Sequence, residues 1–583
     1  MIMPDTPRLS RRTLMSGLGA GALGLGTAAV AGCSPGDTEP EQPKGLDGAE
    51  RKELGAELDG PLYPDGYVGP RARDLKPFAD GSRTFKIVVS QDASVVGDWN
   101  KNAFSAWMEK TTGVKVEYQA VLTQNTDGSA DLTKINAMLA SGELPDAFLG
   151  IPFTAAQISL YGSQGVFVAL DKYIETLAPA MRQARQDYPD LTANQKSLDG
   201  KIYQFKALSD CYHCKVSPAR AWINQRYLER VDAEMPTTTE ELRQVLRLFK
   251  DRDPSGTGAM LPLAAGVNGS LDSYFLNAFL YNPGGRATGG WLRLNADKVE
   301  FVANTDAWRE GIRFLHSLYD DGTLTKESFT MTNDAVLKAG NQGRIGFARR
   351  YYQGDFIDVD LEPDSPWRDY VAVPPLKGPQ GVQYAGWDYT LLTGPPFVIT
   401  SSCAAPDLLV QWADTQLDLT AQCNAYAGVQ GDNWDWAKQG DPGLNGEQAV
   451  WRAKQWPAPA GQSWSLRQIY YLSSGFRNGQ YSNPKSSDFE KELYQATTAY
   501  EPFAEPRDQW LPPLIFDEAQ AAQQADLAQT IDGHVKQSLA AFVTAENDID
   551  DDAAWQAYQR TFEEMNLPGY LELYQQAYDN RPR

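Results

Sequence analysis

Arg83–Ser90 (RTFKIVVS), Asn100–Thr112 (NKNAFSAWMEKTT) and Val114–Val121 (VKVEYQAV) are the segments on which the fold assignment turns. The first is an apolar, β-branched run of strand length. The second carries Phe104, Trp107 and Met108 at helical spacing, with Gly113 to stop it. The third alternates as a strand does. Strand, helix and strand in this order make a βαβ unit with a parallel pair. Downstream, Asp131–Ser141 predicts a short helix with Leu132, Ile135 and Leu139 inward. Pro145–Leu149 predicts a short strand, and Phe167–Ile174 a turn into a helix. The alternation continues past residue 400. The C-terminal region changes character. Asp517 is placed to cap a helix burying Ile531, Val535, Leu539 and Phe542, and Asp550 to cap another burying Trp555, Tyr558 and Phe562. Pro568-Gly569 breaks the pattern before a third helix with Tyr570, Leu573, Tyr574 and Tyr578. An α/β body with a helical cap is the expectation.

Before that body lie two segments of different composition. Ser10-Arg11-Arg12-Thr13-Leu14 precedes a Gly-, Ala- and Leu-rich stretch ending Val30-Ala31-Gly32-Cys33. A basic start, an apolar middle and small residues at the end have the layout of an export signal. The paired arginines resemble a twin-arginine signal, with plain Sec export as the alternative. Val30–Cys33 resembles a bacterial lipobox, which implies cleavage after Gly32 and lipidation of Cys33. A transmembrane helix is the competing reading, but the stretch is only marginally apolar and Cys33 would go unexplained. Residues 33–82, rich in Pro, Gly and acids, read as a lipid anchor and flexible tether.

The formal charge of −22 over 583 residues excludes whole classes of partner. Nucleic-acid binding needs clustered Lys and Arg, and docking on anionic lipid by charge alone needs the same. Removing residues 1–32, with Arg8, Arg11, Arg12 and Asp5, makes the remainder more acidic still. Outside the cytoplasm Cys211, Cys214, Cys403 and Cys423 can be oxidised. Their spacings favour Cys211–Cys214 and Cys403–Cys423, although sequence leaves all three pairings open. A redox pair or half a metal site are the other readings of Cys211-Tyr212-His213-Cys214. Zinc usually needs about four N/S ligands, and no second Cys/His cluster exists.

Catalytic signatures are missing. There is no G-x-S-x-G elbow, no G-x-x-x-x-G-K-[ST] loop and no H-E-x-x-H pair. Only His213, His316 and His534 offer imidazoles. Acids are abundant, so a carboxylate pair for glycoside hydrolysis stays open at this level.

A set of motifs then runs in order through the chain: Ala140-Ser141-Gly142-Glu143-Leu144-Pro145-Asp146, Gly165–Ile174 (GVFVALDKYI), Leu198–Tyr203 (LDGKIY), Trp222–Leu228 (WINQRYL), Pro236–Leu242 (PTTTEEL) and Asn566–Asp579 (NLPGYLELYQQAYD). Together they resemble the family 1 extracellular solute-binding proteins of bacterial ABC importers, and most of all their large LipO-like lipoprotein branch, over roughly residues 84–580. The resemblance implies a two-lobed α/β periplasmic-binding-protein fold of type II, like that of maltose-binding protein, with crossover hinge strands. On that pattern lobe one is 83–210 plus 385–430, and lobe two is 211–384 plus 431–583 with the C-terminal helices. Two departures stand out. Asp251-Arg252-Asp253-Pro254-Ser255-Gly256-Thr257-Gly258 keeps the front half of an EF-hand-like loop, but Ala259-Met260-Leu261 replaces the acidic back half. A calcium loop usually needs that late bidentate carboxylate. No cofactor is therefore expected; Asp251, Asp253 and Ser255 are the candidates should Ca²⁺ bind, and an Asp/Gly-rich turn is the favoured reading. Gln430 stands where relatives often have Glu.

The resemblance further implies a monomeric, lipid-anchored, extracytoplasmic receptor without enzymatic activity, which captures a carbohydrate and passes it to membrane permease subunits. A sugar needs flat aromatic surfaces for its C–H face and fixed polar partners for its hydroxyls. With 15 Trp in the chain, an oligosaccharide is favoured. Candidate ligand residues are Trp99 and Asn100 after the first strand, Asp146, Tyr274, Arg349, Trp387 and Asp388 near the second crossover, and Trp434 and Trp436 after a glycine-rich turn. For each Trp, packing is the competing role. A peptide or other polar solute in the same fold is the first alternative, and a secreted glycoside hydrolase or lyase the second.

Overall fold

The computed structural model describes residues 43–581 apart from 92–95, 124–130, 198, 216–219, 267–269, 284–289, 392, 395, 456, 484–487 and 517. Cys33 and Asp517 lie outside the described residues. Thr84–Ser90 forms the predicted first strand and pairs in parallel with both Lys115–Val121 and Ala147–Leu149. Phe397–Ile399 joins the far side of Ala147–Leu149 in antiparallel sense. Strand alternation divides this sheet's side chains between two cores. Phe85, Ile87 and Val89 face one with Trp412 and Trp464, while Val88, Phe148 and Val398 face the other. Between the first two strands lies helix Ala103–Thr112, capped by the Asn102 side chain, which accepts from Phe104 N–H. The helix stops at Gly113, whose φ is +73°; a Cβ there would sit 2.0 Å from the Ala79 carbonyl oxygen, so only glycine fits.

A second sheet runs in the order 370–372, 222–224, 345–348, 261–264. Ile345–Ala348 and Leu261–Ala264 are parallel, and Trp222–Asn224 is antiparallel to its neighbours. Ile223, Leu263 and Phe347 enter a large core shared with helix Asp306–Asp320; Trp222, Ala264 and Ala348 enter a smaller one with Trp367. The helices Glu518–Val543, Asp552–Glu564 and Leu567–Asp579 close the large core with Val535, Phe542, Trp555, Phe562 and Tyr574. Two lobes thus have separate sheets and separate cores. No helix among the described residues is long and apolar enough to cross a membrane.

The chain passes between the lobes three times. It leaves lobe one after Leu208–Ser209, returns between Tyr370–Ala372 and Phe397–Ile399, and leaves again between Ser474–Asn478 and Phe489–Tyr500. Asp388 N–H donates to Lys215 O at 2.9 Å, joining the first two passages.

Several expectations are corrected. Residues 43–82 are not a free tether: Lys52 N–H bonds Thr176 O, Arg73 N–H bonds the Asp418 carboxylate, and Ala72 is buried with Trp434 and Trp451. Their apolar residues Leu46, Ala49, Ala72 and Phe78 are spaced without period, so no local pattern announces the docking. Residues 431–482 pack with lobe one, not lobe two, because Trp464, Ile469 and Tyr471 complete the core around Phe85 and Ile87. Ala385 and Trp387 belong to the core of lobe two, not lobe one. Asp551, not Asp550, caps helix Asp552–Glu564; Asp550 instead pairs with Arg313 at 2.6 Å. Pro568 begins the last helix rather than breaking one, in the first turn where its missing N–H is harmless.

Candidate ligand site at the lobe crossings

The sheet directions dictate where a ligand site belongs. In open α/β sheets ligands sit beyond the carboxyl ends of the strands. The three parallel strands of lobe one end at Gln91, Leu122 and Gly150. Phe397–Ile399 runs against them, so the second passage arrives at this same edge, where Gly150 N–H bonds Pro396 O at 3.1 Å. In lobe two, Ile345–Ala348 and Leu261–Ala264 end at Arg349 and Ala265. Antiparallel Trp222–Asn224 begins there, and the Arg220 guanidinium just before it donates to Tyr351 O at 3.1 Å. The carboxyl edges of both sheets are therefore the edges the crossings reach.

Tyr351 and Tyr352, directly after Ile345–Ala348, stand on that edge 41% and 37% exposed. The Arg349 guanidinium lies 5.4 Å from the Tyr351 ring centroid, and Tyr352 packs against Phe489 at 5.4 Å. Further rings line the crossing segments. Tyr212 lies 6.1 Å from Trp387 and 5.0 Å from Tyr494, and Tyr389 lies 5.7 Å from Trp510. Carboxylates anchor these segments: Tyr212 OH donates to Glu501 at 2.6 Å, Tyr281 OH to Glu505 at 3.1 Å, and the Trp387 backbone N–H to Glu505 at 2.5 Å. Lys215 pairs with Asp210 at 3.6 Å, and Tyr188 OH donates to the same Asp210. Tyr188, Tyr212, Tyr351, Tyr352 and Tyr389 were not singled out by sequence reasoning. The one available signal was the pair Tyr351-Tyr352 placed directly behind the Arg349-Arg350 that ends a buried strand.

The residues singled out from sequence divide. Arg349, Trp387 and Asp388 lie at the crossings; the Arg349 guanidinium meets Ser273 Oγ, and Asp388 caps its own turn by accepting from Thr390. Tyr274 is buried in lobe two, where its OH donates to Pro374 O at 2.9 Å, and burial holds that hydroxyl well above the ordinary tyrosine range. Trp99 is core, 4.9 Å from Trp464 and 5.6 Å from Tyr118. Asn100 bonds both backbone groups of Tyr118 and fixes the second strand. Asp146 sits at the amino end of its strand, accepting from Lys86 N–H at 2.8 Å. Trp434 is fully buried with its Nε1 donating to Asn424, and Trp436 packs edge-on against it. These last five hold structure rather than line the crossing edge.

Cys211 and Cys214 are disulfide-bonded. Cys403 and Cys423 are free and buried in different cores, Cys403 in the turn before helix Pro406–Thr415 and Cys423 within helix Leu419–Ala427, so that expected pair is not formed. In the turn after helix Thr239–Arg252, the Asp253 carboxylate accepts from Gly258 N–H and Ser255 Oγ, one bond on each oxygen. Asp251 stays exposed on the helix.

Behind the rings lies a buried polar cluster spanning two passages. The Arg477 guanidinium donates to Glu490 at 2.6 Å and to Tyr426 OH at 2.8 Å, and His213 Nε2 lies 2.6 Å from the same Glu490 oxygen. Burial alone would raise the Glu490 carboxyl, but Arg477 and then His213 outweigh it and hold it far below the carboxylate range. Burial, and then Arg477, lower His213 to about 4, so its imidazole is neutral at neutral pH. A separate cavity of about 500 Å³ lies under residues 52–78, against Gln411, Asp414 and Asp418. Burial raises both aspartates to about 7.

The sequence profile of the bacterial extracellular solute-binding protein family matches residues 92–417. The chain belongs to that family. Among curated relatives, the fructooligosaccharide ABC transporter substrate-binding protein FusA of Streptococcus pneumoniae is 27% identical over 371 residues, 62% of this chain and 64% of FusA. The match thus spans just under two thirds of that relative's length. Lipoprotein LipO of Bacillus subtilis is 25% identical over 61% of this chain and 69% of LipO. FusA in complex with kestose superposes with a TM-score of 0.69 at 21% identity, over 85% of this chain and 99% of that one. An HMO-binding, ABC-transporter-associated solute-binding protein from Bifidobacterium longum infantis superposes at 0.67 with 19% identity, over 87% and 99%. These likenesses establish the shared two-lobed α/β solute-binding fold.

Proposed function

We propose that this family member captures an oligosaccharide at the carboxyl edges of its two sheets and delivers it, unaltered, to the permease of an ABC importer. The observation that carries the proposal is the set of partly exposed rings at the crossings, Tyr351 and Tyr352 foremost, interleaved with carboxylates and Lys215. Flat rings match the C–H face of a sugar, and fixed charged groups match its hydroxyls. Closure of the lobes about the three passages would present the loaded form to the membrane. The names of the relatives, FusA above all, point to the same substrate class. The reading extends to lipid attachment at Cys33, which would hold the receptor at the outer face of the cell membrane as a monomer.

The test is a thermal-shift and calorimetric screen of the purified chain against fructooligosaccharides and other neutral glycans, with chromatography of each sugar afterwards. Binding raises the melting temperature by mass action. Stabilisation with the glycan recovered intact is the expected result. Appearance of shortened glycan would replace the receptor with a hydrolase or lyase, and stabilisation by peptides alone would replace the sugar.

A further inference from the structure

We infer that Cys211, His213 and Cys214 form a redox-gated site for a thiolate-seeking divalent cation of the Zn²⁺ class. Their ligand atoms lie within 4.8 Å of one another at the start of the first passage between the lobes. His213 is almost wholly buried, and its two nitrogens have different surroundings. Nε2 lies 2.6 Å from the Glu490 carboxylate and 2.7 Å from the Arg477 guanidinium, so that side of the ring is held by a buried ion pair. Nδ1 is buried and has no hydrogen-bond partner among the described residues. A buried unsatisfied polar atom is costly and calls for an explanation. Metal-binding histidines are oriented by fixed polar partners at one ring nitrogen while the other is left for the metal, and here a histidine held in that way clusters with two cysteine sulfurs.

The disulfide form holds the sulfurs together and leaves no thiolate for a metal. Opening it requires a dithiol reductant. The dithiol passes two electrons and two protons to the pair, giving two cysteine thiols, and becomes a disulfide itself. Binding of the cation then releases the two thiol protons and leaves two thiolates and the neutral imidazole as ligands, with water in the fourth position. Cys214 is only half-buried, which gives both reductant and ion a route. The site lies apart from the sugar reading and stands or falls without it.

The full chain in its disulfide form is compared with chain reduced by dithiothreitol and freed of reductant by anaerobic gel filtration. Each is titrated with Co²⁺ as a spectroscopic probe, then with Zn²⁺ in competition. The reduced chain should take one Co²⁺ with an intense thiolate-to-cobalt band, displaced by Zn²⁺; the oxidised chain should show no such band. His213→Gln keeps a polar side chain near Glu490 and Arg477 but removes the imidazole ligand, and should weaken Co²⁺ binding more than about tenfold. The wild-type comparison needs no variant, so a folding defect in His213→Gln, read by circular dichroism, leaves the test intact. A reduced chain with no stoichiometric band overturns the inference. So does a band that survives in a Cys211→Ser, Cys214→Ser double variant, since it would then arise at Cys403 or Cys423.

Discussion

Replacing Glu490 with Gln removes one charge from a pair that no water screens. The Glu490 and Arg477 side chains are 3% and 6% exposed, 2.6 Å apart, and they tie lobe one to the start of helix Phe489–Tyr500. In Glu490→Gln the guanidinium keeps Tyr426 OH as a polar partner but loses its counter-charge. Breaking a buried pair from one side costs about 3–5 kcal/mol, whereas replacing both members by apolar residues of similar size is often near neutral. The assay is urea unfolding at neutral pH followed by near-UV circular dichroism, with hydrogen exchange over residues 489–500 to localise the effect. Glu490→Gln should lower the unfolding midpoint strongly, and Glu490→Met with Arg477→Met should recover most of the loss. The pH dependence has a definite sign. A carboxyl held below its ordinary value contributes stability that is present above about pH 4.3 and lost as the pH falls through its lowered folded value. The deficit of Glu490→Gln should therefore persist throughout the neutral range and shrink only in strong acid. A loss under about 1 kcal/mol at neutral pH, or a double variant no better than the single, would refute the account of this pair as a buried clasp.

Tyr351→Ala and Tyr352→Ala should each weaken oligosaccharide binding by about 0.5–1.5 kcal/mol in calorimetry while lowering the melting temperature far less than loss of a core ring, because both rings are partly exposed. Trp434→Ala should do the reverse: a fully buried indole is lost, stability falls by about 3–5 kcal/mol in urea unfolding, and sugar affinity in the surviving folded fraction is retained. Asp414 and Asp418, raised to about 7 by burial, should make lobe one more stable in mild acid. Their contribution is full below about pH 3.9 and declines as the pH rises through about 7. Melting curves across that window should show the decline, and Asp414→Asn should flatten it. Gly113→Ala forces a Cβ against the Ala79 carbonyl at a positive φ and should destabilise lobe one by more than about 1 kcal/mol in the same melts.

Local pattern carried the secondary structure wherever one periodic face met one core. The βαβ unit from Thr84 to Val121 is legible because each element has its own period and Gly113 stops the helix; the C-terminal helices are legible from their period alone, since Asp550 and Pro568 do not mark the boundaries they suggest. The ordered motifs likewise point to the family. Tryptophan content alone said nothing about placement: Trp99 and Trp434 sit beside Gly, Asp and Asn, as a loop residue would, yet both rings are buried by segments hundreds of residues away or by the strap at 60–72.

The sequence by itself determined the acidic charge, the α/β alternation and the family. Only tertiary structure decided which edge faces the crossings, which aromatics stay exposed there, and that residues 43–82 and 431–482 belong to lobe one. The reason is physical: period and composition are set by neighbours in the chain, whereas exposure and pairing are set by segments that the chain brings back from far away, as Arg477, Glu490 and His213 are brought to one point.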